Sequence, residues 1–190
     1  MKKKLLFLLI HYIFLIGVPT KILANGDGDL NSSYSKTKIG LNYVSSTRVT
    51  KQRGVDSYGT PIPTFRITGI PVGAIIEDAF LYMAGSTISS LSFFNLSINN
   101  PSNIVESYAA SLIGTTPDAC WGYNNTKSFR ANIKTIITGN GDYVVSGIPT
   151  SATLNDDMNG ATIIVIYSDP SANFTGSIEI KDGSVVLVSS

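Results

Sequence analysis

Short runs rich in Val, Ile, Tyr, Phe and Thr recur along the chain, and Gly, Pro, Asn, Asp and Ser separate them every ten or so positions. A surface helix needs an apolar stripe of period 3.6 over ten or more residues, whereas a strand needs only a few alternating or β-branched positions between turn residues. The pattern therefore predicts an all-β chain folded as an antiparallel sandwich. The expected strands are KIGLNYV (38–44), TFRIT (64–68), AIIEDAFLYMA (74–84), LSFFNLSI (91–98), DYVVSGI (142–148), ATIIVIYS (161–168), GSIEIK (176–181) and SVVLVSS (184–190). ATIIVIYS is apolar on both faces and reads as a central, doubly covered strand, whereas GSIEIK alternates and should keep one face wet. Three stretches read as turns or strand stops, namely Ile70-Pro71-Val72-Gly73, Gly139-Asn140-Gly141-Asp142 and Asp169-Pro170. Asp182-Gly183 is a signal for a two-residue hairpin turn.

One segment departs from this rhythm. Phe129, Ile133, Ile136 and Ile137 fall at i, i+4, i+7 and i+8, one face of a short helix that would plug an end of the sandwich. Asn132 or Ser128 can cap its start, and Gly139 its end. The competing reading is another strand, because the segment is rich in Ile and Thr. IVESYAASLIG (104–114) is ambiguous in the same way.

The chain opens with Lys2, Lys3 and Lys4, an apolar stretch from Leu5 to Val18, and Ile22-Leu23-Ala24 as a cleavage site. This is the pattern of a secretory signal peptide over 1–24. The alternative, an uncleaved anchor, needs roughly 20 apolar residues, and this stretch is shorter and carries His11. Residues 25–37 are polar and read as a flexible lead-in, which leaves 38–190 as one β domain. Four of the 14 basic residues (Lys2, Lys3, Lys4, Lys21) and none of the 13 acidic ones lie in the signal. The remaining 166 residues thus carry ten basic against 13 acidic groups, a net charge of −3. No basic patch is left for nucleic acid.

The only histidine, His11, lies in the same segment. Without it, no imidazole is available as a base for a nucleophile, and one thiol cannot make a tetrahedral zinc set. Cys120-Trp121 is similar to the pair at the nucleophile of papain-like proteases, but the flanking residues and the missing histidine contradict that chemistry. Cys120 reads as a small buried hydrophobe or, being the only cysteine, as the site of an intermolecular disulfide. A glycosidase needs two facing carboxylates, and no such pair stands out. The expectation is a non-enzymatic protein with no cofactor.

Binding candidates are the loop aromatics Trp121 and Tyr123, with Asp118, in TTPDACWGYNN. Aromatics on loops stack on sugars or anchor partners, although Trp121 can equally cap the core beneath the loop. Asp156-Asp157 in TLNDDMNG is a weak metal or sugar candidate, or a solvated turn. The alternating Asn25, Asp27, Asp29 and Asn31 fail as a calcium loop, which needs Gly and Glu at its sixth and twelfth places. Asn31, Asn95, Asn124 and Asn173 begin glycosylation sequons, which matter only in a host that glycosylates.

Four blocks in order, IPVGAIIEDAFLYMAGS, DACWG, FRANIKTIITGNGDYVVSGIP and GATIIVIYSDPSANFTGSIEIKDG, resemble a secreted domain near the front of large bacterial surface proteins, often ahead of immunoglobulin-like repeats. The resemblance covers about residues 60–185. It implies a jelly-roll type of β-sandwich and a surface or matrix role, and it supplies no catalytic set. Such domains commonly continue into further strands, and here the chain stops at Ser190. The expected function is a secreted or cell-surface structural or adhesive module with a protein or glycan partner; the alternative is a carbohydrate-binding module, calcium-assisted or not. SVVLVSS carries no lysine or proline to blunt an edge, so it either pairs with another chain by strand addition or is covered by a strand such as TFRIT.

Overall fold

The computed structural model describes residues 30–50, 63–118, 122–149 and 156–184. They form ten strands: β1 Asn31–Ile39, β2 Leu41–Val49, β3 Thr64–Ile67, β4 Ile75–Thr87, β5 Phe93–Asn99, β6 Val105–Pro117, β7 Asn125–Asn132, β8 Gly141–Ser146, β9 Asp156–Ser168 and β10 Thr175–Asp182. Every strand pairing is antiparallel. Eight strands make one sheet in the order β2-β9-β4-β7-β6-β5-β8-β3, and β1 pairs with β10 in a separate ribbon.

The sheet curls until its two edges nearly meet. Arg48 on β2 donates from Nε to the Thr64 carbonyl on β3 at 2.8 Å, and a Cβ on Gly69 would touch Val44 at 3.6 Å. The result is a nearly closed barrel, and closure is what hides sheet edges from water. Alternate residues point inward and fill one core: Ala79, Leu81 and Met83 from β4, Phe129 and Ala131 from β7, Tyr143 and Val145 from β8, and Ile163 and Val165 from β9. Phe94 and Phe129 meet edge to face at 5.1 Å.

The β1–β10 ribbon is the β2–β9 pair continued and folded back on itself. The fold lies at Gly40, whose φ of 64° no β-branched residue would tolerate. Gly40 donates to the Phe174 carbonyl at 2.8 Å and accepts from the Asp169 amide at 3.0 Å. KIGLNYV, expected as one strand, is thus cut into the end of β1 and the start of β2. The folded-back ribbon covers the outer face of β2, β9 and β4, where Leu41, Phe80 and Ile166 are buried beneath Tyr34, Ile178 and Ile180. This gives β9 its cover on both faces, while Ser177, Glu179 and Lys181 of β10 stay exposed.

Two sequence expectations are corrected and one ambiguity is resolved. Residues 31–37 are not a lead-in but most of β1, because Tyr34 can bury its ring against Phe80 at 5.6 Å. The short helix over 129–137 is absent: Phe129 and Ala131 alternate inward from β7, Ile133 follows buried just past its end, and only Lys134–Ile136 makes a single 3-10 turn. The ambiguous segment 104–114 lies mostly in β6. The expected signal segment over 1–24, Cys120, Trp121 and residues 185–190 lie outside the described residues, so the expected C-terminal strand is described only at Ser184.

Candidate functional site

The sequence candidates Asp118, Asp156 and Asp157 come together at one rim of the barrel. Long, regular pairing brings this about: β4 ends at Ser86 and Thr87, which face Asp157 and Asp156 across β9, and Thr126 and Asn125 across β7. Asp118 leads the β6–β7 loop. Its Oδ1 accepts from Ser86 at 3.1 Å and Thr126 at 3.3 Å, and its Oδ2 accepts from the Tyr123 amide at 3.0 Å. Asp156 accepts from the hydroxyls of Thr87 and Ser89, the latter at 2.5 Å. Asp157 is buried. Lys127, also buried, donates to the carbonyls of Ser89 and Leu91 at 2.9 and 2.8 Å and ties the β4–β5 loop to the rim.

Asp118 and Asp156 are occupied by hydroxyls and amides of the chain, and among the described residues no three of His, Cys, Asp or Glu converge on a metal position. Asp156 and Asp157 belong to a strand end rather than the loop expected of them. The half-buried Tyr123 sits in the loop as expected.

Beside this rim lies an open cleft of about 570 Å³ on the outer face of the sheet. It begins where the ribbon stops. Lys181, Asp182 and Gly183 form one wall, and Ala84, Gly85 and Gly160 are among the residues of its floor. Ser86 and Thr126, the two donors to Asp118, also line it, so the cleft reaches the Asp118 loop. Thr47 and Thr162 share a hydrogen bond of 2.9 Å at its β2–β9 side.

Asp182 is the anchor of the wall. It accepts from Tyr82 at 2.9 Å and pairs with Arg130, whose guanidinium lies 5.3 Å from the Phe80 ring centroid. Burial pushes the Tyr82 phenol up to about 12; the Arg130 hydrogen bond works against this and the Asp182 bond adds to it. At the other end of the ribbon, Glu77 takes Lys36 at 2.6 Å, Lys38 at 2.5 Å and Ser168 at 2.5 Å. Those three bonds hold its carboxyl at about 2, against the resistance of burial.

Sequence reasoning missed Tyr82, Asp182 and Gly160. Strand alternation was the available signal for Tyr82, since it puts Phe80, Tyr82 and Ala84 on one face. Nothing local says that the ribbon ends above that face. Comparison with protein-family models, characterised proteins and solved structures finds no match to this chain.

Proposed function

We propose that this chain is a secreted, cell-surface, non-enzymatic β module with a structural or adhesive role. The observation that carries this reading is the use of its carboxylates. Glu77, Asp118, Asp142, Asp156, Asp169 and Asp182 each accept from side chains or backbone of the chain itself. Acids engaged in this way fasten strands and turns; a general acid or base needs a carboxyl facing a substrate. The signal-like leader and the four-block resemblance to front domains of bacterial surface proteins support the surface location. The jelly-roll sandwich belongs to the same proposal, supported by the single core shared between the two halves of the eight-strand run. So does self-association by strand addition through Val185–Val188. The test is expression of the whole chain in a bacterial host, N-terminal sequencing of the exported form, and adhesion of beads coated with it to cells and matrix. Export with a new terminus near Asn25 and saturable adhesion are expected. Retention in the cytosol, or turnover of a substrate, overturns the reading.

A second reading, a carbohydrate-binding module, is favoured by one specific observation: the cleft adjoins the loop that carries Asp118 and Tyr123. A glycan array run with and without calcium, on the mature chain and on Trp121→Ala, tests it. Sugar binding lost in Trp121→Ala supports the loop aromatics as its platform.

A further inference from the structure

Gly160 stands in the interior of β9 with no backbone reason to be glycine. Its φ is not in the left-handed region, and among the described residues a Cβ there would meet only the Arg48 carbonyl oxygen at 3.7 Å, an ordinary contact. Its neighbours across the sheet differ. A Cβ on Gly85 would strike the Asp157 backbone, and one on Gly114 would strike the chain at Gly183 and Ser184. Those two glycines are required by close backbone approach. The register shift beside Ala84 and Gly85 disturbs the ladder here, but it brings no backbone against the Gly160 Cβ position closer than the ordinary contact with Arg48 among the described residues. A strand-interior glycine costs stability and often marks a place where a ligand approaches the backbone. Gly160 lines the cleft, opposite Ala84.

The chemistry of the cleft narrows what it accepts. Its volume of about 570 Å³ is that of a small-ligand site, roughly 300–1,000 Å³. The backbone of the floor is already paired in the β2-β9-β4-β7 ladders, so no peptide strand can add to it. Among the described residues Lys181 is the only lysine or arginine in the lining, and it lies 3.9 Å from Glu179, so these residues offer a polyphosphate no cluster of cations. The hydroxyl of Ser128 and the amide of Asn159 would lose water beneath an acyl chain that offers them no hydrogen bond. What fits is a neutral, hydroxyl-rich ligand with flat, weakly apolar faces.

We propose that the cleft binds a neutral oligosaccharide, one sugar ring lying over Gly160 and Ala84 with its hydroxyls toward Ser128, Asn159 and the Asp182 wall. The proposal rests on the carbohydrate-binding reading, but it moves the site from the loop aromatics to the sheet face. Two fillers from different strands test it, Gly160→Val and Ala84→Leu. Both place a side chain in open space at a β conformation, so both should keep the thermal midpoint of the parent. Binding of trisaccharides of glucose, mannose, galactose and N-acetylglucosamine to the mature chain is measured by calorimetry beside Trp121→Ala. The expected result is binding of at least one trisaccharide that each filler weakens at least tenfold with no loss of fold. If the parent binds and both folded fillers bind equally well, the cleft is not the site and the inference fails, while the carbohydrate-binding reading stands on the loop. If the parent binds none of the four, both fail.

Discussion

The hydroxyl of Tyr82 on β4 donates to Oδ1 of Asp182, the last residue of β10, at 2.9 Å. This bond joins the ribbon to the sheet at the point where the outer face opens into the cleft. Replacing Tyr82 by Phe removes it and leaves Asp182 with Arg130. The expected cost is about 1 kcal/mol, the net value of one partly buried hydrogen bond, read by urea denaturation. A cost near zero would mean that Arg130 alone holds the ribbon end.

The same phenol belongs to a set with an alkaline signature. Burial, first among the causes, pushes Tyr34, Tyr82 and Tyr108 up to about 12 from an ordinary value of 10.0. The folded state then holds these protons more tightly than the unfolded chain. Their contribution is fully present below pH 10 and is lost as pH rises toward 12. Ultraviolet titration of the folded protein should show a group of phenols ionising late, with unfolding in that window. A single titration step near 10 with the fold intact would contradict this.

Glu77 sets the acid limit of the ribbon. Its carboxyl is held at about 2 in the fold against an ordinary 4.5. The group is depressed, so its stabilisation is present above about 4.5 and is lost as pH falls through the folded value. Glu77→Gln should cost about 2 kcal/mol near neutrality, a figure reduced because Lys36 and Lys38 remain partly exposed. The parent's stability should fall steeply from pH 4.5 to 2.5 in urea titrations, and the variant's should fall less. Parallel curves for the two would show that Glu77 is not the group responsible.

Two glycines give opposite expectations. Alanine at Gly40 meets the Asp169 carbonyl and a left-handed φ of 64°, so Gly40→Ala should cost about 3 kcal/mol or unfold the ribbon. Gly160→Ala should change stability by no more than about 0.5 kcal/mol, or raise it. Thermal melts of the pair decide this, and similar losses in both would remove the basis for treating Gly160 as an open floor.

Tyr143 tests the opposite rim. Its buried hydroxyl accepts from the Thr138 amide at 3.1 Å and donates to the Gly139 carbonyl at 2.8 Å. Tyr143→Phe leaves these groups without that partner, at a cost of about 1–3 kcal/mol. Amide exchange at Thr138 and Gly139 should accelerate while β9 stays protected. Uniform acceleration throughout would indicate a global role instead.

By itself the sequence determined which stretches extend and where the chain turns. Val-, Ile- and Tyr-rich runs between glycines and prolines suit only a pleated, buried surface, and the double-sided apolarity of ATIIVIYS placed β9 inside. Residue type alone also set the absence of an imidazole beyond residue 11. The helix expected over 129–137 shows the limit of periodicity. Phe129 and Ile133 are four apart, a spacing that one helical face and one strand face share, and the sheet position beside β4 selected the strand. The lead-in expectation failed for a related reason: polar Ser, Lys and Thr around Tyr34 look solvated until β10 and Glu77 give them partners. Only the tertiary structure decided that Asp118 and Asp156 lie at one rim, that Asp182 ends above Tyr82, and that Gly160 lines an open cleft. The first depends on strand order and the other two also on the fold-back at Gly40, where residues 100 or more positions apart become neighbours, and local sequence carries no record of such long-range pairing.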